Sequence, residues 1–239
     1  MDDLVRILVL TLFAGMAMPL GAFLSAAEHI KRDWLQAEIR HFVMAFGGGA
    51  LLSAVALVLV PEGSENLGIF AVAFWFAAGG LVFMCLDIWL DRLKSPLAQL
   101  VAMLSDFIPE ALALGAALAM GSETALLLAG LIALQNLPEG FNSSRELQEA
   151  TDFDDKQITI IFILLALLGP VFGLLGFYVL ADSVIVISSI MLFAAGGILY
   201  VTFSDIAPQA KLKNHWFPPI GAVAGFLLGV IGQLLVGPN

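Results

Sequence analysis

Eight long apolar runs, separated by short polar segments, constrain the fold of this chain more than any other feature of its sequence. Each run is long enough to cross the ~30 Å hydrocarbon core of a bilayer as a helix rising about 1.5 Å per residue. A helix satisfies its own backbone hydrogen bonds in lipid, so runs of this length are expected to be helical. The runs cover roughly residues 4–25, 41–61, 68–90, 98–120, 123–144, 158–180, 184–207 and 216–236.

The composition supports the same fold class. Hydrophobic residues make up 60% of the chain and charged residues only 13%, whereas soluble domains have about 45–50% and about 25%. We therefore predict an all-α polytopic protein with eight transmembrane helices in a single transmembrane domain, residues 1–239, embedded in a lipid bilayer. The net charge of −10 argues against nucleic acid as a partner. The sequence contains no nucleophile–base pair and no phosphate-binding loop, so neither an enzyme nor a resident cofactor is expected.

The positions of the basic residues predict the orientation. Nine of the ten Lys and Arg residues fall in the odd-numbered loops, and only Arg6 lies elsewhere. Because cytoplasmic loops carry an excess of Lys and Arg, the odd loops are expected to be cytoplasmic. The sequence therefore predicts a multi-pass protein of the inner (plasma) membrane with both termini outside.

Two pairs of spans that are far apart in the sequence have similar residues at matching positions. Span two matches span seven at an offset of 147 residues, and Pro19 of span one lies near Pro170 of span six at an offset of 151. The matched pairs are Phe46 with Phe193, Gly49 with Gly196, Leu52 with Leu199, and Pro61 with Pro208. This pattern predicts a 3+2+3 arrangement, in which inverted repeats at about 1–93 and 157–239 flank central helices at about 97–145. Chance matching between Gly- and Ala-rich helices is the alternative.

Spans four and five each carry a polar residue followed four positions later by a glutamate. These residues are Asp106 and Glu110 in span four, and Gln135 and Glu139 in span five. Residues four apart share a helix face, and the two spans are adjacent and antiparallel, so Glu110 is expected near Gln135 and Asp106 near Glu139. Carboxylates at mid-membrane depth are costly and indicate function.

The chemistry of this group favours a cation. Three bare carboxylates facing one another would repel strongly, and a divalent metal ion relieves that repulsion. Pro109 and Pro138 also free the carbonyls of Ser105 and Leu134, which could help to coordinate a cation. A proton relay, or neutral carboxyl groups that join the helices by hydrogen bonds, are the alternatives. Oxygen ligands suit Mn²⁺ and Fe²⁺ at least as well as Zn²⁺.

Further polar residues lie nearer the membrane surfaces. Asn142 and Ser143 follow Glu139 by about one turn and could line an exit path, although helix capping explains them equally well. Asp205 lies near the cytoplasmic end of span seven and is a second candidate for the inner path. Glu62 and Glu65 are expected to form a solvated acidic rim at the outer mouth.

Three segments resemble the ZIP family of divalent-metal transporters. The family's span-four motif, His-Asn-x-Pro-Glu-Gly, is matched by 106–111, and a Gln variant of its span-five motif, His-x-x-Pro-Glu-Gly, is matched by 135–140. The run from Ala195 to Pro208 is similar to the family's span seven. The resemblance implies eight spans, outside termini, import of Zn²⁺, Fe²⁺ or Mn²⁺ into the cytoplasm, and a possible homodimer.

The chain also departs from that pattern. Phe107 replaces a ligating asparagine, and the acid that many members carry in span six falls at about Gly169. The resemblance therefore implies one metal site made by Asp106, Glu110, Gln135 and Glu139, with Asn136 as a marginal fifth ligand. A metal-selective channel and a non-transporting, metal-sensing relative are the competing functions.

Overall fold

The computed structural model describes residues 3–27, 33–93, 97–121, 124–180, 183–211 and 216–236, and all regular structure within these ranges is helical. Four basic residues used to predict the orientation, Lys31, Arg32, Lys94 and Lys213, lie outside the described residues. The helices are α1 (Asp3–Ala27), α2 (Asp33–Ala54), α3 (Val60–Ser64), α4 (Ile69–Leu93), α5 (Leu97–Ala119), α6 (Ala125–Ala150), α7 (Asp155–Ala166), α8 (Leu168–Leu180), α9 (Val184–Val201), α10 (Ala207–Gln209) and α11 (Ile220–Val236). Two π-helical segments, π1 (Val55–Leu59) and π2 (Thr202–Ile206), continue α2 into α3 and α9 into α10.

Five helical stretches are long and apolar enough to cross a membrane, as expected for a multi-pass membrane protein. They are Asp3–Ala27, Ala37–Ser64, Ile69–Arg92, Asp155–Val179 and Val184–Gln209. Helix α11 is apolar but shorter, at 17 residues. The all-α prediction is therefore confirmed for the described part of the chain.

The segment between predicted spans five and six, from Arg145 to Gln157, forms a shorter loop than expected. Helix α6 continues to Ala150, because Ser143 and Ser144 are buried inside the molecule rather than at a helix end. Helix α7 begins with a capping box, in which the Asp154 carboxylate accepts from the backbone N–H of Gln157, 2.7 Å away. The Gln157 side chain accepts in return from the Asp154 backbone N–H at 3.0 Å.

Four pairs of helices approach each other closely through glycine. At each contact a side chain on the glycine would collide with the backbone of the partner helix, so only glycine permits the packing. The contacts are Gly140 of α6 on Met18 of α1, Gly115 of α5 on Gly173 of α8, Gly49 of α2 on Ala222 of α11, and Gly79 of α4 on Phe193 of α9. We name α1, α5, α6, α7 and α8 the first group and α2, α3, α4, α9, α10 and α11 the second group. The two groups are joined mainly where α2 packs on α6.

The two π-helical segments occupy matching places in the sequence. Val55–Leu59 and Thr202–Ile206 are separated by 147 residues, which is the offset found between spans two and seven. Pro61 and Pro208 follow the two segments at the same distance. A π-helical turn holds one residue more than an α-helical turn, so it changes which side chains face the neighbouring helices.

Helix α2 forms much of the contact between the two groups. A Cβ on Gly47 would lie 2.8 Å from Cγ of Pro138 in α6, and a Cβ on Gly48 would lie 2.8 Å from Cγ2 of Ile206 in π2. The glycine pair thus lets α2 pass close to both the proline in α6 and the π-helical segment in the second group. This junction is one wall of the cavity described next.

Candidate functional site

A cavity of about 820 Å³ lies between the two groups of helices. Its walls come from α2, α4, α5, α6, α9, π2 and α10. Along α6 the lining extends from Gln135 to Ala150, about 22 Å of helix. The cavity therefore reaches from one end of α6 to the middle of the bundle.

In the described part of the chain, all ionisable side chains of the cavity wall are acidic. Neither Lys nor Arg appears among the described lining residues. The lining acids are Asp87 and Asp91 of α4, Asp106 of α5, Glu139 and Glu146 of α6, and Asp205 of π2. A cleft that is lined by one sign of charge and has low-dielectric walls concentrates counter-ions, so this cavity attracts cations.

Asp106 and Glu139 lie at the deep end of the cavity, as their spacing predicts. Oδ1 of Asp106 is buried and has no hydrogen-bond partner. Asp106 of α5 and Glu139 of α6 line the same cavity, so carboxyl groups from two helices face one space. Within the described ranges, however, no three His, Cys, Asp or Glu side chains converge tightly enough to hold a metal ion by themselves. A cation bound here needs amide, backbone or water oxygens as well.

Glu110 and Gln135 lie in direct contact. Nε2 of Gln135 donates to both carboxylate oxygens of Glu110, at 2.6 Å each. Glu110 is 1% exposed and Gln135 is 5% exposed. Gln135 lines the cavity, but Glu110 is absent from the cavity wall. Oε1 of Gln135 is buried without a hydrogen-bond partner, so it is an oxygen ligand that no protein donor occupies.

Asn136 faces away from the cavity. It is fully buried, and its Nδ2 donates to the backbone carbonyl of Ala14 in α1 at 2.9 Å. It is the residue after Gln135, so it lies about 100° further around α6. The structure therefore places this predicted fifth ligand against α1 rather than with Asp106 and Glu139.

Phe107 fills the space beside the site. Its ring is 1% exposed and packs against glycines of two other helices. A Cβ on Gly15 of α1 or on Gly169 of α8 would lie 2.8 Å from its Cζ. The volume next to Asp106 that a second set of ligands would require is occupied by an aromatic ring.

The predicted path residues line the cavity. Asn142 and Ser143 are buried in the middle of α6, which excludes a capping role, and Nδ2 of Asn142 lies 3.5 Å from Sδ of Met44 in α2. Asp205 lies in π2 and accepts a hydrogen bond from the Gln209 side chain. All three residues belong to the cavity wall.

Sequence reasoning missed two acids of α4 and one of α6. Asp87 and Asp91 lie at the end of predicted span three (68–90), and Glu146 lies just beyond predicted span five (123–144), yet all three line the cavity. Asp87 also accepts a hydrogen bond of 2.8 Å from the Tyr200 hydroxyl in α9. The spacing of Asp87 and Asp91, four residues apart, places them on one face of α4 and was the available signal.

The opposite end of the molecule is closed by a polar contact. Glu62 in α3 was expected to belong to a solvated acidic rim, but it is half-buried and accepts a hydrogen bond from the Thr124 hydroxyl. Thr124 precedes α6 and uses its hydroxyl for this contact rather than to cap the helix. The contact therefore joins the two helix groups at the end of α6 that lies away from the cavity.

The candidate site consists of Asp106, Gln135 and Glu139 at the deep end of the cavity. Glu110 is hydrogen-bonded to Gln135 and lies outside the cavity wall. A scan against models of known protein families finds no match to this chain, and a search of curated proteins finds none either.

Proposed function

We propose that this protein is a carrier for divalent metal ions across the membrane. The observation that supports the proposal most strongly is the acidic cavity, which leads along α6 to Asp106, Gln135 and Glu139. Carboxylates within a bundle of apolar helices are costly unless they act on an ion. A cation as substrate offsets that cost while it is bound.

The donors favour a hard or borderline ion. The oxygens at the deep end of the cavity are carboxylate and amide oxygens, and Oδ1 of Asp106 and Oε1 of Gln135 have no hydrogen-bond partner. Such ligands suit Mn²⁺ and Fe²⁺, and they accept Zn²⁺ at modest affinity, which rapid release requires. The proposed substrates are therefore Mn²⁺, Fe²⁺ and Zn²⁺.

The proposed membrane arrangement has eight spans in a 3+2+3 order with inverted repeats, as the sequence offsets predict, and it has outside termini and import into the cytoplasm, as the resemblance to the ZIP family implies. The glycine-mediated pairs support the repeats. Under the repeat relation α2 corresponds to α9, α4 to α11, α1 to α7 and α8, and α5 to α6. The pair α2–α11 then corresponds to the pair α9–α4, and α1–α6 corresponds to α8–α5. The matching places of π1 and π2 support the same relation.

A carrier is favoured over an open channel because the cavity does not continue beyond Gln135. On the same face of α6, three, four and seven residues before Gln135, the side chains are apolar and buried, namely Ile132, Leu131 and Leu128, with exposures of 1%, 1% and 0%. A closed apolar layer of this kind blocks a hydrated ion. Transport then requires a conformational change, and the flux saturates with metal concentration.

The test is uptake of Mn²⁺, Fe²⁺, Zn²⁺, Cd²⁺ and Mg²⁺ into liposomes that contain the purified protein. Glu139→Gln keeps the shape of the side chain and removes its charge, and we expect it to lower uptake at subsaturating metal by at least about tenfold, equivalent to ~1.4 kcal/mol. Glu149→Gln, an exposed position on the same helix outside the cavity wall, is the matched control and should transport normally. Absence of uptake by the native chain, or full uptake by Glu139→Gln, contradicts the proposal.

A further inference from the structure

Gln135 separates Glu110 from the cavity, and this arrangement has a consequence for how a cation binds. The inference rests on the proposed function, since it concerns the same site. Both oxygens of the Glu110 carboxylate are engaged by one nitrogen, Nε2 of Gln135, at 2.6 Å. With Glu110 1% exposed and Gln135 5% exposed, the hydrogen bonds are shielded from water.

The two ends of the Gln135 amide face different surroundings. The nitrogen must face Glu110, because an amide oxygen in that place would be repelled by the carboxylate. The oxygen has no hydrogen-bond partner, and the residue lines the cavity. A cation that arrives through the cavity therefore meets Asp106, Glu139 and the Gln135 amide before it reaches Glu110.

A cation and the amide nitrogen compete for Glu110. Nε2 of Gln135 lies 2.6 Å from both carboxylate oxygens, so it occupies the place between them that a cation chelated by this carboxylate would take. The amide thus stands in for the cation when the site is empty, since it supplies the positive end of a dipole to a buried carboxylate. Full coordination by Glu110 requires that these hydrogen bonds break.

We propose that Gln135 is a gate on the binding site: its amide holds Glu110 in the empty state and must release it before the divalent cation binds fully. Binding then proceeds in two steps. A fast encounter at Asp106 and Glu139 precedes a slower rearrangement, in which Gln135 turns its oxygen toward the ion and Glu110 becomes a ligand. A residue that served only as a fixed ligand would give a single step.

The kinetics of binding separate these two roles. The disappearance of free Zn²⁺ is followed by stopped flow with a fluorescent zinc indicator, using the full-length protein in detergent micelles over a range of protein concentrations in excess of metal. The two-step scheme predicts that the observed rate of the native protein levels off at high concentration, where the release of Glu110 limits it. Gln135→Ala removes the amide, so its observed rate should rise linearly and exceed the native plateau at least tenfold.

Two further variants complete the experiment. Gln233→Ala makes the same change at another glutamine with a buried, unpartnered Oε1, outside the cavity wall, and should keep the native plateau. Gln135→Leu, which fills the space of the lost amide, should also abolish the plateau and provides the result if Gln135→Ala does not fold.

The outcomes distinguish this inference from the proposed function. A plateau that persists unchanged in a folded Gln135→Ala or Gln135→Leu protein, or a linear rate in the native protein, overturns the gate and leaves the carrier intact. Native protein that removes no Zn²⁺, Mn²⁺ or Cd²⁺ from solution overturns the proposed function itself.

Discussion

Phe107 limits the number of polar ligands in the centre of the first helix group, because its ring fills the space beside Asp106. It follows Asp106, so it lies about 100° around α5 and faces α1 and α8 instead of the cavity. Its ring packs against Gly15 and Gly169, with 2.8 Å from Cζ to a Cβ placed on either. The glycines and the ring are complementary in volume, and the packing leaves no space for a ligand at Gly169.

This packing predicts the effect of enlarging Gly169. We expect Gly169→Ala to destabilise the protein by about 1–3 kcal/mol, because its Cβ would lie 2.8 Å from both Cζ of Phe107 and the carbonyl oxygen of Thr11. Thermal unfolding in detergent measures the change as a lower melting temperature. Metal affinity should change little, since neither residue lines the cavity.

A glycine with open surroundings supplies the control. A Cβ on Gly130 of α6 meets nothing within 4 Å, so Gly130→Ala should leave the melting temperature unchanged or raise it. In the double variant Phe107→Leu/Gly169→Ala the smaller side chain relieves part of the collision, so the two effects should not add. Equal melting temperatures for native and Gly169→Ala protein would exclude the tight fit.

The contact between Glu110 and Gln135 follows from the sequence, because four-residue spacing and antiparallel neighbours define which faces meet. The orientation of Asn136 does not follow, since the rotation of α6 is set by its packing on α1 through Gly140 and Met18. The position of Asp87 on the cavity wall was not predicted either. Whether an acid near a helix end faces solvent or a cavity depends on which helix lies opposite it, and no local pattern encodes that.

Between elements, the contact of Glu62 in α3 with Thr124 before α6 joins the two groups at the end away from the cavity. A conformational change that opens this end has to break it. A hydrogen bond to a charged group contributes about 1.5–3 kcal/mol, enough to bias an equilibrium between a closed and an open end by tenfold or more. We therefore expect the contact to stabilise this conformation, in which the acidic cavity lies toward the other end of α6.

Removal of the Thr124 hydroxyl tests this role. In a Cys85→Ser background, a cysteine at Ala125, which is fully buried at the start of α6, reports on opening through its reaction with a water-soluble thiol reagent. We expect Thr124→Val to raise the labelling rate about tenfold, as the closed state loses one hydrogen bond. Thr159→Val is the control, because its hydroxyl bonds to Asp155 within its own helix at 2.7 Å. An unchanged labelling rate would show that the contact does not hold this end closed.

The helical state of the apolar runs was predictable, because such runs have no other stable form in a bilayer, but α2 begins eight residues before its predicted span and α6 ends six residues after its own. The π-helical segments were not predicted. Val55–Leu59 and Thr202–Ile206 contain no proline, and their extra residue is accommodated by packing against neighbours that local sequence does not specify. The offset of 147 residues nevertheless relates the two segments, as the proposed inverted repeats require.

At the scale of the whole molecule, charge is distributed unevenly between the two ends. Of the six described basic residues, only Arg6 lies near the start of α1, while the others lie toward the end with the cavity mouth. They are Arg40, Arg92, Arg145, Lys156 and Lys211. By the positive-inside rule, we expect the cavity to open toward the cytoplasm, as it would in the inward-facing state of the proposed carrier.

Two exposed positions on opposite sides test this orientation in intact cells. Gly68 lies between α3 and α4, where a side chain meets nothing within 4 Å, and Asp152 lies between α6 and α7. In a Cys85→Ser background, an impermeant thiol reagent should label Gly68→Cys in intact cells and Asp152→Cys only after the membrane is permeabilised. We expect this pattern because Arg145 and Lys156 flank the loop between α6 and α7, and basic residues favour the cytoplasmic side. The reverse labelling pattern would place the cavity mouth outside and would make the acidic cavity a site of cation capture from the medium rather than of release.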